Sequence, residues 1–179
     1  MQTLDCIRKR RSIRKFTDEP VSHETLEKIV AAASFSPSWK NTQIVRYIAI
    51  ETPALKNKIA SDCTVGFPYN AGTINAAPML IAVTVMKNRC GYERDGSFST
   101  NRKDTWQMFD AGIASQTFCL AAHELGLGTV IIGIFDDTLS DLLKLPQDRE
   151  LVNLICIGHP AEDPDVPKRK SVTDLLSYQ

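Results

Sequence analysis

Residues 109–135 read FDAGIASQTFCLAAHELGLGTVIIGIF. The first two thirds of this segment belong to a predicted helix from about Asp104 to Leu125, because apolar residues recur at helical spacing. Its broad stripe consists of Met108, Phe109, Gly112, Ile113, Gln116, Cys119, Leu120 and His123. Gly126 and Gly128 favour the end of the helix, since glycine tolerates the left-handed cap conformation. The β-branched residues that follow, 129–135, predict a strand.

Further helices and strands are predicted on both sides of this unit. Helices are expected at 3–9, from Ser22 to Pro37, at 53–60 and at 138–144, and strands at 44–50, 79–86 and 151–158. Residues 88–103 form a polar excursion between the second predicted strand and the long helix. Helices alternate with several of the four strands, so the pattern alone predicts a mixed α/β layer fold of undetermined topology.

Length and composition indicate a globular protein of one domain. The chain has 179 residues, of which 43% are hydrophobic and 23% charged. Its longest apolar run, MLIAVTVM at 79–86, has the length of a buried strand, and the N-terminus lacks the apolar segment of a secretory signal. Five scattered cysteines favour a reducing cytoplasm over a disulfide framework, and three distant histidines offer no metal-ligand spacing.

Charge is distributed unevenly along a chain whose formal net charge is zero. RKRRSIRKF, at 8–16, carries six positive charges, and residues 168–170 (KRK) carry three more. The rest of the chain has 12 basic against 21 acidic residues. An acidic body with two compact basic clusters predicts a specific anion site rather than general attraction to nucleic acid or to a membrane.

The order of residues within the first basic run favours phosphate as the anion. Arginines offer paired donors that match phosphate oxygens, and Ser12 supplies a shorter contact. The second cluster could complete a cage if the fold brings the two ends together, although such runs are as often solvated surface. Gly126, Gly128 and Gly133 do not have the spacing of a dinucleotide or P-loop site and follow a helix rather than a strand.

Residues 36–43, SPSWKNTQ, form a predicted loop between a helix and a strand. Proline, hydroxyl and amide groups make such a loop able to donate and accept hydrogen bonds. An ordinary connection between two elements remains the alternative interpretation.

Four motifs in this order resemble the FMN-dependent nitroreductase family, over about residues 5–176. RRSIRKF resembles its flavin-binding segment, and ASFSPSWKNTQ resembles its loop of the form A-P-S-x-x-N-x-Q-P-W. Residues 109–135 resemble its interface helix, glycine turn and central strand, and PKRKSVTDLL resembles its C-terminal phosphate-binding segment. The usual Pro-Trp after the loop glutamine is Ile44-Val45 here.

The resemblance implies an α+β fold, with a nitroreductase-like mixed sheet flanked by helices, in an intertwined homodimer. Residues 1–179 would form a single FMN-binding domain with two FMN sites at the subunit interface. At the FMN phosphate, the resemblance implies Arg10, Ser12, Lys168 and Arg169, and it counts Arg11 among the cofactor-binding residues. Arg14 would lie at the pyrimidine edge of the flavin. Pro37, Ser38 and Asn41 would come from the other subunit, and the backbone of Ile132 and Gly133 would lie near N5.

The implied activity is hydride transfer from NAD(P)H to a nitroaromatic compound, a quinone or a similar small acceptor by a ping-pong mechanism. The flavin N5 carries the chemistry, so no catalytic side chain and no metal is required. Related flavin chemistry such as reductive dehalogenation or flavin fragmentation, an FMN carrier or sensor, and nucleic-acid binding through the basic run are the alternatives; neither nucleic acid nor membrane is an expected partner.

Two structural expectations accompany this interpretation. Beyond the end of the first helix the basic run is expected to be extended, with Arg10, Ser12 and Arg14 on one side and Arg11, Ile13 and Lys15 on the other. The homodimer is expected to use the stripe of the long helix, where the small residues Gly112, Ala114 and Ser115 would permit close contact.

Overall fold

The computed structural model describes residues 2–179. Its helices are α1 (Thr3–Lys9), α2 (His23–Ala33), α3 (Pro53–Asp62), α4 (Pro68–Ala76), α5 (Thr105–Glu124), α6 (Thr138–Leu142) and α7 (Val172–Leu175). Its strands are β1 (Val45–Ile50), β2 (Met79–Met86), β3 (Gly128–Ile132) and β4 (Arg149–Gly158). A short 3₁₀ turn covers Trp39–Asn41.

The four strands form one sheet in the order β1-β2-β4-β3, and each neighbouring pair is antiparallel. Alternate residues of β2 face two different hydrophobic clusters. Leu80 and Ala82 pack with α3, α4 and α6, whereas Ile81 and Val83 pack with α2 and α5. Helices therefore cover both faces of the sheet, which gives the layers that the sequence pattern predicted. Because the sheet between them is antiparallel, the fold is α+β, as the resemblance implies. A mixed sheet was expected, with both parallel and antiparallel pairing. Among the described residues, parallel pairing is limited to a single bridge between Ser12 and Thr129.

Several element boundaries differ from the sequence expectation. α2 begins after the Ser22 cap as expected but ends at Ala33, and β3 ends at Ile132 instead of continuing to residue 135. Neither α4 nor α7 was expected. α4 has the sequence PYNAGTINA, which lacks an apolar stripe, and α7 has only four residues, begun by a capping box between Ser171 and Asp174.

The long helix α5 buries a different face from the predicted stripe. Its buried residues are Gln107, Asp110, Ala111, Ala114, Ser115, Phe118, Cys119 and Ala122. Met108 and Phe109 of the stripe are exposed, at 41% and 58%, and Gly112 is exposed as well. The expected role of Ala114 and Ser115 in subunit contact is therefore wrong, because both are buried inside their own chain. Ser115 contacts the sheet, since Asn153 Nδ2 of β4 donates to its Oγ at 3.0 Å, and α2 packs on the same helix through Ile29 and Ala33.

The turn after α5 uses its two glycines for different purposes. Gly126 has φ +81°, and the following Leu127 N–H donates to the Ala122 carbonyl, as expected for a helix end. Gly128 instead begins β3. A Cβ at residue 128 would lie 2.7 Å from Cγ1 of Ile13, so this glycine allows the N-terminal segment to approach the strand.

The two ends of the chain meet beside β3 and β4. Ile13 N donates to the Thr129 carbonyl at 2.9 Å, which joins the basic run to the start of β3. Thr17 N donates to His159 O, and Ala161 N donates to Lys15 O, both at 2.9 Å. The backbone that follows β4 therefore runs alongside the basic run.

All five cysteines are buried and none forms a disulfide, and they pack as small hydrophobic residues. Across residues 2–179, no helix combines the length and the apolarity that crossing a bilayer requires.

Candidate functional site

A small cavity of about 310 Å³ lies where the two chain ends meet, and we call it the basic pocket. It is lined by Arg10, Arg11, Ser12, Arg14, Pro164, Asp165, Pro167 and Arg169. Glu162 closes the junction, since its Oε1 accepts from the backbone N–H groups of Arg14 and Lys15 at 2.6 and 3.2 Å. Four arginines from the two ends of the chain thus share one cavity with one carboxylate, that of Asp165. Lys168, which was expected to join them, is exposed and does not line this cavity.

The side chains of the basic run follow the expected alternation only in part. Ile13 is buried against Gly128 and Lys15 is exposed, and neither lines the basic pocket, which agrees with their predicted place on the other side of the segment. Arg11 departs from it. Its guanidinium donates to the carbonyls of Arg8 and Arg10, at 2.7 and 2.9 Å, and it lines the pocket with Arg10 instead of pointing away.

Arg10 is half-buried, and its Nε atom has no hydrogen-bond partner within residues 2–179. His123, in the last turn of α5, has an equally buried and unpartnered Nε2 atom. Burial lowers the pKa of His123, and the positive charge of Arg10 lowers it further. A guanidinium with an unused buried donor, beside a histidine that favours its neutral form, is suited to an anion that the chain itself does not supply. The residues present therefore fit a phosphate group.

The loop of residues 36–43 has an unusual backbone. Lys40, Asn41 and Gln43 have φ values of 46°, 56° and 47°, in the left-handed region that non-glycine residues rarely adopt. Ser38 Oγ accepts from Gln43 N at 3.1 Å, and Gln43 Nε2 donates to Asn41 Oδ1 at the same distance. Such strain persists where the surrounding structure holds the loop in place.

Asp110 of α5 is the residue that holds this loop. Its carboxylate is 3% exposed and accepts from Trp39 N, at 3.2 Å to Oδ1 and 3.0 Å to Oδ2. Cys90 Sγ donates to Oδ2 at 3.1 Å; burial, and then this hydrogen bond, raises the pKa of Cys90 to about 12, so the thiol keeps its proton. A second contact joins Ser36 Oγ to Thr117 Oγ1 at 2.8 Å.

Sequence reasoning missed Asp110, Cys90 and Thr117. A sequence signal for Asp110 exists, because it is the one charged residue among positions 105–122 of this helix. Its partners could not be found in that way, since they come from segments 71 and 20 residues distant.

An apolar groove of about 600 Å³ adjoins the loop, between α2, β1 and α5. Pro37, Ser38 and Asp110 are among its lining residues. Tyr47 is another lining residue. Its hydroxyl is buried without a partner within the described chain, and burial raises its pKa to about 12.

The predicted site residues fall into three separate places within one chain. The basic pocket unites Arg10, Arg11, Ser12, Arg14 and Arg169, whereas Pro37 and Ser38 lie at the apolar groove. Asn41 is an exposed residue of the loop and lines neither. Ile132 is buried at the end of β3, and the exposed Gly133 has no atom within 4 Å of the position where a Cβ would be built. None of the loop residues lines the basic pocket of its own chain.

The chain matches one family model and is similar to several known proteins and solved structures. The model of the nitroreductase family matches residues 7–73 and 65–159. An FMN reductase (NAD(P)H) from Bacillus subtilis is 34% identical, over 94% of this chain and 70% of that protein. An iodotyrosine deiodinase from Nematostella vectensis is 28% identical, over 95% and 72%. A nitroreductase family protein from Clostridium novyi, whose crystal structure is known, has a TM-score of 0.77 and 28% identity, over 92% of this chain and 89% of its own.

Proposed function

This chain belongs to the nitroreductase family, and from that premise we propose that it transfers a hydride from NAD(P)H to a nitroaromatic compound, a quinone or a similar small acceptor in a ping-pong reaction. It is an NAD(P)H-dependent flavin oxidoreductase with FMN as its cofactor. When bound, FMN supplies the two-electron chemistry, so the chain's own residues have to bind and orient the reactants and no catalytic side chain is assigned.

The observation that carries this proposal is the basic pocket. Arg10, Arg11, Ser12 and Arg169 line one cavity, and Arg10 retains an unpartnered buried donor, which is what a phosphate group requires. Lys168, the neighbour of Arg169, would add positive charge from outside the cavity. Arg14 would lie at the pyrimidine edge of the flavin, where a guanidinium favours the negative charge that reduction creates.

Two further regions would hold the flavin ring. Next to β3, the open space at Gly133 allows a planar group to approach the backbone of Ile132 and Gly133. Pro37, Ser38 and Asn41 lie on a loop that is separate from the basic pocket of its own chain. They would reach the cofactor from a second copy, so that each site is completed by two subunits.

Unpartnered apolar surface supports the homodimer that this arrangement needs. Met108 and Phe109 are exposed on one face of α5. In the C-terminal segment, Val172 and Leu175 are each 71% exposed and Tyr178 is 89% exposed. Large apolar side chains of a helix and of a chain end are typical of surfaces covered by another subunit. A dimer mass by light scattering at micromolar concentration is the expected result, and a monomer that retains FMN would contradict it.

The test of the cofactor and of turnover begins with the purified protein. It should be yellow and should release FMN rather than FAD on denaturation, because the adenylate of FAD would have to extend past the phosphate that the basic pocket encloses. With FMN bound, it should consume NAD(P)H steadily in the presence of a nitroarene or a quinone. Absence of flavin, with no uptake of added FMN, would overturn the proposal.

A second candidate function is reductive dehalogenation of an aromatic substrate by the same cofactor. It is supported by the similarity to the Nematostella deiodinase. Halide release from a halogenated phenol, without faster NAD(P)H consumption on a nitroarene or a quinone, would favour this candidate. An FMN carrier or sensor is distinguished from both by the absence of steady NAD(P)H consumption with any acceptor.

A further inference from the structure

Residues 87–94, KNRCGYER, border a polar cavity of about 550 Å³ that lies against the loop of residues 36–43. Three of the lining residues are cations: Lys87, Arg89 and Arg94. Thr42 lines the side formed by the loop, and Tyr92 adds an aromatic ring that packs on Phe98 with ring centroids 4.9 Å apart. We call this space the 87–94 cavity.

The three cations have no partner in the part of the chain that the structure describes. Across residues 2–179, no hydrogen bond or ion pair involves the side chain of Lys87, Arg89 or Arg94, and all three are exposed. The two carboxylates that line the cavity have cations of their own. Glu93 lies 2.7 Å from Lys40, whose hydrogen bond lowers the pKa of Glu93, and Asp148 lies 3.7 Å from Arg149. Lys87, Arg89 and Arg94 therefore have no ion-pair partner among the described residues. Asp104 and Glu150 lie close enough to act on Tyr92, whose pKa is raised by burial and then by these two charges.

The 87–94 segment and the 36–43 loop form one unit. Asn88 N donates to Gln107 Oε1 at 2.9 Å, which fixes the start of the segment on α5. Cys90 and Trp39 both donate to Asp110, so one buried carboxylate holds the segment and the loop together. The Lys40–Glu93 ion pair joins them again at the surface. A molecule that contacts the loop at Thr42 would thus lie in the same cavity as these cations.

We propose that the 87–94 cavity binds the phosphate groups of the reductant, and that its cations make NADPH the preferred nicotinamide. This inference rests on the proposed function, because it places the cavity beside the loop that would lie against the flavin. NADPH differs from NADH only by a 2′-phosphate. Guanidinium groups bind such a group with paired donors. Tyr92 offers a surface for the adenine base, which favours a nucleotide over a free phosphate ion.

The kinetic test compares two nicotinamides and matched charge variants of the FMN-loaded protein. The unaltered protein should have a kcat/KM at least about tenfold higher with NADPH than with NADH. The Arg89→Gln/Arg94→Gln double variant should lose about tenfold with NADPH and less than about threefold with NADH. Lys28→Gln removes a cation of α2 that pairs with Glu24, and should change neither value.

A binding test separates a nucleotide site from a general anion site. Adenosine 2′,5′-bisphosphate, inorganic phosphate and AMP are titrated calorimetrically into the FMN-loaded protein. The bisphosphate should bind about tenfold more tightly than AMP, and the double variant should abolish this difference. Inorganic phosphate that binds as tightly as the bisphosphate would overturn the assignment to a nucleotide.

The two proposals fail in different ways. Equal kcat/KM for NADPH and NADH, unchanged in the double variant, would overturn the 87–94 cavity as a phosphate subsite while leaving the oxidoreductase intact. Failure to bind FMN, or to oxidise either nicotinamide with any acceptor, would overturn the proposed function instead. A double variant that lost FMN along with its preference for NADPH would place these arginines at the cofactor, which also contradicts the inference.

Discussion

The basic pocket and the 36–43 loop are built by opposite means. The pocket is a surface feature in which arginines from two chain ends share a cavity, held by backbone hydrogen bonds beside β3 and β4. The loop contains three non-glycine residues with positive φ and is held by the buried carboxylate of Asp110. Charge density is the main property of the first region, and fixed geometry is the main property of the second.

This difference predicts how each region tolerates change. Replacing an exposed cation should change the free energy of unfolding little, because water solvates the charge in both the folded and the unfolded chain. Replacing a buried carboxylate should lower the free energy of unfolding, because the groups that donate hydrogen bonds to it are left without a partner. Substitutions at the basic pocket should therefore change ligand binding, and substitutions behind the loop should change stability.

The largest effect is expected for Asp110→Ala. Trp39 N and the Cys90 thiol would both lose their acceptor in a buried site, which should lower the free energy of unfolding by about 4 kcal/mol. Asp165→Ala is the matched control, because Asp165 is an exposed carboxylate of the basic pocket, and it should stay within about 0.5 kcal/mol. Urea titration measures both, and equal losses would remove the distinction between the two regions.

Gly128→Ala tests the buried support of the basic pocket. The new Cβ would lie 2.7 Å from Ile13 Cγ1 and 2.8 Å from its Cβ, so either the segment that carries Ser12 or the start of β3 must shift. Overpacking of this kind should destabilise by about 3 kcal/mol. Gly72→Ala, on α4 with open space around it, should instead be neutral or stabilising by up to about 1 kcal/mol. Thermal unfolding of both variants checks this contrast, and a Gly128→Ala variant as stable as Gly72→Ala would contradict it.

Arg10→Ala should leave folding intact and weaken FMN binding. Loss of one charge-assisted contact is expected to raise the dissociation constant about ten- to a hundredfold, or about 2 kcal/mol. Arg14→Ala should lower the flavin reduction potential while FMN stays largely bound, and Lys15→Ala should change neither quantity. Flavin fluorescence titration and potentiometry separate the three variants. If all three lose affinity equally and only the salt dependence changes, the run is a general basic patch.

The smallest effect concerns His123 and pH. Burial, assisted by Arg10, lowers its pKa below the ordinary value of 6.5, so the unfolded chain binds the proton more tightly than the folded one. Its contribution to stability is therefore present above about pH 6.5 and lost as the pH falls through the folded pKa. Because the side chain is only half-buried, the loss should stay below about 1 kcal/mol.

His123→Gln should reduce the difference in stability between pH 8 and pH 5.5, measured by urea titration. His23 provides a control of opposite sign. Its hydrogen bond to Glu51 raises its pKa, so its contribution is present at low pH and lost as the pH rises. His23→Gln should therefore enlarge the difference. A change of the same sign in both variants would contradict the assignment to His123.

Sequence by itself determined most elements and the cluster of arginines that lines the basic pocket. The β-branched runs that became β1, β2 and β4 and the long helix α5 follow from local spacing, because each pattern repeats within one element. The concentration of arginines in residues 8–16, against an acidic remainder, indicated an anion site without any knowledge of the fold. Resemblance to the nitroreductase family, which the comparisons confirm, supplied the α+β class and the cofactor.

Tertiary structure decided which groups meet. The face of α5 that packs inward, the departure of Arg11 from alternation and the separation of Lys168 from the pocket depend on contacts between distant segments. Asp110 gains its role from Trp39 and Cys90, which lie 71 and 20 residues away. Local propensity describes how a segment prefers to fold alone, whereas a buried carboxylate is stable only where the whole chain has brought donors to it.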